Sequence, residues 1–160
     1  MQYSDALSIR RFRPEDTAAT ARLFHDAVHQ GTRAFYTEAQ RKAWAPAVPE
    51  TDSWRDRLTG QSVFVAELEG KIAGFMTLRD DGYIDLAFVA PDLTRRGIAR
   101  ELYRAIEAEA AKMGLQRLYA HASHVARPFF ERQGWSTLRA QTVSPRGVAM
   151  TNFVMEIALS

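Results

Sequence analysis

The chain has 160 residues, of which 46% are hydrophobic and 25% are charged, a composition typical of folded globular proteins. Its 21 Lys and Arg residues against 19 Asp and Glu residues leave a net charge of +2, which gives no argument for a nucleic-acid partner. Cysteine is absent, which excludes disulfides, thiolate metal sites and a cysteine nucleophile. With no long apolar run, we expect one cytoplasmic domain over residues 1–160 without a membrane segment.

The first third of the sequence predicts one strand and three helices. Residues 7–12 indicate a short edge strand, and Pro14 with two following acids suits the first turn of a helix. Apolar residues then recur at helical spacing to about Gln30, and Gly31 is expected to end this helix. A second helix is predicted over residues 37–45, before Pro46, and a third around Trp54 and Leu58.

The middle of the sequence predicts three antiparallel strands. Residues 62–68 are rich in β-branched and aromatic side chains, and residues 69–71 suit a tight turn. Residues 72–78 would return beside the first strand. After a second turn at residues 80–82, residues 83–89 predict the third strand.

The C-terminal half alternates between helices and strands. A long amphipathic helix is predicted over residues 94–113, with Gly114 at its C-cap. A strand at 115–121, a helix at 125–133 ending at Gly134 and two strands around Pro145 complete the order. This order predicts an α/β fold of the α+β type, in which helices flank a mixed central sheet.

The turn before the long helix has the features of an anion site. Arg95 and Arg96 stand where a helix exposes free N–H groups and partial positive charge, which disfavours basic residues unless an anion binds. Gly97 and Ala99 would let a diphosphate approach the backbone. We give equal weight to the interpretation that this is an ordinary helix start with two solvated arginines. The P-loop and the three-glycine dinucleotide fingerprint do not fit.

Together with Val89-x-Pro91 before it, the segment Thr94-Arg95-Arg96-Gly97-Ile98-Ala99 resembles the coenzyme motif of the GNAT superfamily of acetyltransferases. The segment from Ala122 to Trp135 is similar to that family's later helix motif. The N-terminal half, around residues 36–46, resembles a bacterial GNAT subgroup of largely unassigned substrate. The resemblance covers nearly the whole chain and implies a mostly antiparallel sheet of about six to seven strands, splayed between strands four and five.

The resemblance also implies acetyl-CoA as cosubstrate and an amine as acceptor. It places the pantetheine along the backbone of Ala87, Phe88 and Val89, and the carbonyl would be polarised by the N–H of Val89 or a neighbour. The residues that it implies at the pyrophosphate are Arg95, Arg96, Gly97, Ile98, Ala99 and Arg100. Further coenzyme contacts fall on Ser123 and Phe130, which replace the family's usual asparagine and its proton-donating tyrosine.

The acceptor side is predicted from side chains that share a face. Asp85 lies four residues before Val89 in the predicted strand, so it is the first candidate for general base or amine anchor, and Tyr83 is a weaker candidate. A structural aspartate that binds an arginine or the backbone is an equally weighted interpretation. Tyr36, Trp44 and Trp54 are candidate walls of an acceptor pocket, although core packing is commoner for such residues.

The sequence also offers histidines as candidate site residues and allows alternative functions. His121 and His124 lie near the site in sequence, whereas His25 and His29 lack a third ligand, so no metal site is expected. The predicted function is N-acetyl transfer from acetyl-CoA to a primary amine of a small molecule. Alternatives are a non-catalytic acyl-CoA sensor, favoured by Phe130, and transfer to a protein N-terminus or lysine. Nucleic-acid and membrane partners are not expected, and a homodimer is left open.

Overall fold

The computed structural model describes residues 6–160 of the chain. Short 3₁₀ turns occupy Pro14–Asp16, Pro91–Leu93 and Pro145–Gly147. The helices and strands, in chain order, are β1 (Leu7–Arg11), α1 (Thr17–Gly31), α2 (Glu38–Trp44), α3 (Thr51–Thr59), β2 (Ser62–Leu68), β3 (Lys71–Leu78), β4 (Tyr83–Ile84), β5 (Ala87–Val89), α4 (Ile98–Lys112), β6 (Arg117–Ala122), α5 (Ala126–Arg132), β7 (Ser136–Val143) and β8 (Met150–Ala158).

The order predicted from the sequence is confirmed, but the start of the long helix is not. Helix α4 begins at Ile98, four residues later than expected from the pattern. Arg95 and Gly97 adopt positive φ angles of 65° and 81°, left-handed values that an α-helix does not accept. Residues 94–97 therefore form a turn before the helix, with Gly97 as its N-cap.

The prediction of one strand over residues 83–89 is wrong. The backbone N–H of Leu86 donates to the side-chain hydroxyl of Thr77 at 3.0 Å, while the Leu86 carbonyl accepts from the Thr77 N–H at 2.9 Å. A side chain thus replaces a carbonyl at this step of the ladder. The interruption separates β4 from β5, and Asp85 and Leu86 lie between them.

The interruption assigns the two short strands to different sheets. One sheet has the order β1-β2-β3-β5 and the other the order β4-β6-β8-β7, with all pairs antiparallel except β4 with β6. The sheets meet at β4, because the N–H of Arg79 donates to the Tyr83 carbonyl and the N–H of Tyr119 to the Gly82 carbonyl. Beyond Asp85 the chain stays with β3 and leaves β6. The predicted splayed mixed sheet is confirmed, with seven strands if β4 and β5 count as one.

Helices cover the strands on both faces. One apolar cluster joins α4 and α5 to both sheets, and the predicted apolar face of α4 (Ile98, Leu102, Ile106, Ala110) is fully buried in it. A second cluster joins α1 and α3 to the opposite face of β2 and β3. Trp54 lies in this second cluster, and its Nε1 donates to Thr20 Oγ1 at 3.1 Å, so Trp54 is a core residue rather than a pocket wall.

The Thr77 hydroxyl can be tested by an isosteric change. Thr77→Val keeps the shape but leaves the buried Leu86 N–H without its acceptor. We expect the free energy of unfolding, measured by chemical denaturation, to fall by about 1–3 kcal/mol. Thr137→Val is the matched control, since Oγ1 of Thr137 is buried with no partner among residues 6–160 and its removal should be neutral or stabilising. Equal losses in the two variants would contradict this account.

Candidate active site

A cavity of about 440 Å³ lies where β5 and β6 separate. This volume falls within the usual range for sites that take small molecules. Of the residues proposed from the sequence for acceptor or coenzyme, those that line the cavity are Tyr36, Trp44, Tyr83, Asp85, Ala87, Phe88, Ser123 and Phe130. Val89 and residues 95–100 lie outside this lining.

Asp85 enters the cavity as half of an ion pair. Arg57 donates to both of its carboxylate oxygens at 2.9 Å, and the side chain of Gln61 donates to Oδ2 at 2.9 Å. Burial raises the pKa of Asp85, but the hydrogen bonds and the charge of Arg57 outweigh it, and the pKa lies below its usual value. The carboxylate is therefore ionised at neutral pH and is a weaker proton acceptor than an unpaired one.

Tyr83 and His121 extend the polar wall beside Asp85. The two rings meet edge to face, with centroids 5.3 Å apart. Burial raises the pKa of Tyr83, which keeps its hydroxyl protonated at neutral pH. Burial and then the charge of Arg139 lower the pKa of His121, which favours the neutral imidazole. His121 is thus a group in this cavity wall that can accept a proton at neutral pH.

Aromatic side chains form the apolar wall. Tyr36 meets Trp44 edge to face at 5.6 Å, and Trp44 lies 6.3 Å from Phe88. The Tyr36 hydroxyl donates to the Thr151 carbonyl at 2.7 Å and accepts from the His124 N–H at 3.1 Å. Tyr36 therefore ties the N-terminal half of the chain to the second sheet as well as lining the cavity.

Helix α2 is held against the β7–β8 connection, and both contribute residues to the cavity wall. Gln40 Nε2 donates to the Ala149 carbonyl at 3.1 Å, and Arg146 donates to the Ala43 carbonyl at 2.7 Å. The helix is itself capped by Thr37, which exchanges hydrogen bonds with Gln40. These contacts fix the position of Trp44 and of the start of β8.

Ser123 and Phe130 occupy the opposite end of the wall. Ser123 Oγ accepts the N–H of Ala126 at 3.1 Å at the start of α5, so its hydroxyl is committed to the helix end. Phe130 is buried against Trp135, with ring centroids 4.5 Å apart. A phenyl ring carries no exchangeable proton, so no acid is present at this position.

Strand β5 offers an unpaired edge toward the separation. Within residues 6–160 it pairs with β3 only, and the Leu86 carbonyl and the Ala90 N–H both bond to β3. Because antiparallel bonding alternates along a strand, the N–H and C=O groups of Ala87 and Val89 point away from β3. Gly74 permits the close approach of β3 to β5, since a Cβ there would lie 2.9 Å from the Phe88 oxygen.

The arginine-rich turn lies at the start of α4. The side chains of Arg95, Arg96 and Arg100 are exposed, Ile98 is buried and Ala99 is half-buried. None of the described residues lies within 4 Å of the position that a Cβ would take at Gly97. A second cavity of about 440 Å³ adjoins Arg96, Gly97 and Arg100 on the side of β1. This turn therefore has room for an anion beside exposed backbone and cationic side chains.

The chain matches known acetyltransferases. The acetyltransferase (GNAT) domain family matches residues 29–157. The chain belongs to the GNAT family. It is 34% identical to the "Uncharacterized N-acetyltransferase YafP" of Escherichia coli K12 over 93% of this chain and 94% of that protein. It therefore is an acyltransferase, and acetyl-CoA is the cosubstrate of the family.

Solved structures of GNAT proteins share its fold. A GCN5-related N-acetyltransferase of Rhodopseudomonas palustris is 34% identical, with a TM-score of 0.90 over 95% of each chain. The yncA protein of Salmonella typhimurium, solved with its cofactor acetyl-CoA, is 21% identical, with a TM-score of 0.73 over 97% of this chain and 95% of that one. The fold of this GNAT chain is thus that of enzymes whose structures contain the coenzyme.

Sequence reasoning missed several residues of the GNAT cavity. Arg57 reaches Asp85 from α3 and Gln61 from the turn after it, 28 and 24 positions earlier, which no local pattern indicates. Asn152 lines the cavity from β8, and its Oδ1 is buried without a partner among residues 6–160. One signal was available: Asn152 is the only asparagine of the chain, and it lies within a strand, where asparagine is depleted.

Two expectations from the sequence concern metals and membranes. His29 Nε2 lies 2.6 Å from the Ala45 carbonyl and its ring packs against that of His25, so both are half-buried helix residues. The described part of the chain contains no group of side chains suited to a metal ion. Among residues 6–160, no helix combines the length and apolar content needed to cross a membrane.

The ion pair predicts a pH response. In Arg57→Gln the guanidinium is lost while burial remains, so the pKa of Asp85 should rise from its lowered value. In the wild type the folded pKa lies below the unfolded value of about 3.9. The pair therefore stabilises the fold above that pH, and its contribution is lost as the pH falls through the folded pKa. In the variant this contribution should disappear.

The measurement is a carbon NMR titration of the Asp85 carboxyl group, together with unfolding followed between pH 3 and 7. Arg55→Gln is the matched control, because Arg55 lies on the same helix but pairs with Asp52 at 2.9 Å. It should leave the pKa of Asp85 unchanged. If the carboxyl group of Asp85 titrates identically in the wild type and in Arg57→Gln, the ion pair does not set its pKa.

Proposed function

We propose that this acyltransferase moves the acetyl group of acetyl-CoA to a primary amine of a small molecule, by direct attack in a ternary complex. One observation carries the proposal: the unpaired backbone edge of β5 borders a cavity of small-molecule size. A thioester held along that edge would present its carbonyl to a second molecule in the cavity. Both reactants can then bind at once, with no covalent enzyme intermediate.

Acetyl-CoA would bind along the separation of the sheets. The free N–H and C=O groups of Ala87 and Val89 suit the amides of the pantetheine arm, with Phe88 between them packed into the core. The turn before α4 would hold the pyrophosphate through backbone N–H groups and arginine side chains. The residues of this contact are Arg95, Arg96, Gly97, Ile98, Ala99 and Arg100. Ser123 and Phe130 would flank the thioester end.

The chemistry needs few side chains. The amine nitrogen would attack the thioester carbon, the oxygen would take negative charge, and the N–H of Val89 or a neighbour would stabilise it. The C–S bond then breaks and the nitrogen loses a proton, so the products are an amide and coenzyme A. With Phe130 unable to donate, the sulfur leaves as a thiolate, which is tolerable because a thiol has a pKa of about 8.5.

Asp85 is our candidate for contact with the acceptor amine, and Tyr83 stands beside it. The hydrogen bonds from Arg57 and Gln61 favour the role of anchor over that of base, because a carboxylate with a lowered pKa holds a proton weakly but can still accept a hydrogen bond from the amine. The proton can pass to water or to the neutral imidazole of His121 on the same wall.

The lining favours an acceptor with an apolar or aromatic body. Arg57 and Asp85 neutralise each other, so a polycation gains little charge attraction from the cavity. Tyr36, Trp44 and Phe88 offer ring surface instead. The second candidate function, a sensor that binds acetyl-CoA without turnover, is favoured by the buried phenyl ring of Phe130 where the family carries an acid.

The proposal is tested by thiol release from acetyl-CoA in the presence of added amines. Benzylamine and 2-phenylethylamine represent the favoured class, and spermidine, an aminoglycoside, free amino acids and short peptides represent other acceptors. Amine-dependent release, fastest with the aromatic amines, is expected. Acetyl-CoA binding with no release for any amine would favour the sensor, and fastest release with peptides would favour a protein acceptor.

The pyrophosphate site predicts that Gly97→Glu weakens acetyl-CoA binding by more than tenfold in calorimetry, which is about 1.4 kcal/mol or more. Its side chain would enter the space left open at Gly97 and bring negative charge to the diphosphate. The residue also has a positive φ of 81°, which strains any side chain. Gly114→Glu, at the other end of α4 with a φ of 70° and equal open space, controls for strain and charge. Equal affinity in the two variants would refute the assignment.

The anchor predicts that Asp85→Asn lowers kcat at saturating acetyl-CoA by at least about tenfold while acetyl-CoA affinity changes little. The amide keeps the shape of the side chain but loses its charge. Asp81→Asn is the control, because Asp81 is exposed, lies outside the cavity lining and accepts from Arg79 and Tyr119. If Asp85→Asn keeps full turnover across the pH range, the carboxylate has a structural role only.

A further inference from the structure

The cavity wall contains a polar row that crosses the second sheet. Tyr83 pairs in parallel with Tyr119 and Ile84 with Ala120, and Asp85 and His121 are the residues that directly follow the second pair. His121 pairs with Val154 of β8, and Asn152 lies two residues before Val154, which places it on the same face. Asp85, His121 and Asn152 all line the cavity. Asp85, in the segment after β4, therefore borders the same cavity as His121 of β6 and Asn152 of β8.

The side chains of Asp85, Ser123 and Tyr36 in the same wall already make hydrogen bonds within the protein. The Asp85 oxygens accept three hydrogen bonds from Arg57 and Gln61. The Ser123 hydroxyl accepts from the start of α5, and the Tyr36 hydroxyl donates to β8 and accepts from the His124 N–H. In contrast, Asn152 Oδ1 has no partner among residues 6–160 although it is buried.

A buried acceptor without a partner costs free energy, which an apolar residue of similar size at the same position would avoid. This free-energy cost would be removed if a bound ligand donated a hydrogen bond to the oxygen. Asparagine χ2 is a soft, roughly two-fold torsion, so a turn about it can present the oxygen to the cavity. Because Asn152 lines the same cavity as His121 and Asp85, an oxygen turned toward that cavity would lie within the proposed acceptor site.

We propose that Asn152 binds the acceptor: its side-chain oxygen accepts a hydrogen bond from the N–H of the amine and so directs the nitrogen lone pair toward the thioester. The inference rests on the proposed function and adds the residue that selects the nucleophile. An amide oxygen takes no proton, so it holds the amine before and after deprotonation, and the proton leaves through another group. Amines without an N–H are not held.

Asn152→Leu tests this in the full chain, because leucine has a similar size and no polar atom. The KM of benzylamine or 2-phenylethylamine should rise about tenfold while the KM of acetyl-CoA stays unchanged. The melting temperature should stay the same or rise, since an unpartnered oxygen is removed. Gln141→Leu is the control. Gln141 of β7 pairs with Asn152 of β8 but lies outside the cavity lining, so neither KM should change.

Several results would overturn the inference. An unchanged amine KM in Asn152→Leu, or a melting temperature clearly below that of the wild type, would make Asn152 a structural residue. Absence of amine-dependent thiol release in the wild type itself would instead contradict the proposed function. In that case calorimetry of benzylamine with the coenzyme A complex decides, and binding that is absent, or equal in wild type and Asn152→Leu, overturns the role of Asn152.

Discussion

The interruption of one strand at Leu86 is the constraint on which the site depends. A buried threonine hydroxyl accepts the Leu86 N–H, so the chain changes partners between β4 and β5. Had residues 83–89 formed a continuous strand between β3 and β6, every backbone group there would be paired across the sheet. Neither an open backbone edge nor a cavity would then exist. The side-chain hydrogen bond thus lies at the step where the chain keeps its contact with β3 and leaves β6.

The electrostatics of the cavity follow from how its charges are arranged. Asp85 is buried enough that an unpaired carboxylate would tend to take up a proton, yet the guanidinium of Arg57 keeps it ionised. The pair is neutral overall, which leaves the cavity with local dipoles rather than a strong field. Recognition in such a site relies on shape, ring contacts and directed hydrogen bonds.

In the proposed reaction the two halves of the chain would contribute differently. The part after residue 83 would provide the coenzyme edge, the turn at α4 and acceptor-side residues such as Asp85, whereas helices α2 and α3 would add Trp44 and Arg57 to the acceptor side. Hydrogen bonds from Tyr36, Gln40 and Arg146 hold these halves together. Changes in the N-terminal helices can therefore alter acceptor choice while the coenzyme side stays intact.

The local sequence determined the helices and strands, and it contains the motif by which the family can be identified. Alternation and helical periodicity are short-range patterns, so β2, β3 and the buried face of α4 could be predicted from adjacent residues. The arginine–glycine turn was also visible, because helix polarity makes cations unusual at that end. These signals, with the resemblance, were enough for the fold and for acetyl-CoA as the family's cosubstrate.

Only the tertiary structure decided which residues contact one another at the site. The alternation of residues 83–89 resembles an ordinary strand, and only the position of Thr77 on a neighbouring strand divides it. The sequence left Asp85 open between base and structural residue, and its contacts come from Arg57 on α3 and Gln61 just after that helix, both more than 20 positions away. Trp44 and Trp54 look alike in sequence, yet one lines the cavity and the other fills the core. Such outcomes depend on which surfaces meet when the chain folds, and a local pattern carries no information about distant surfaces.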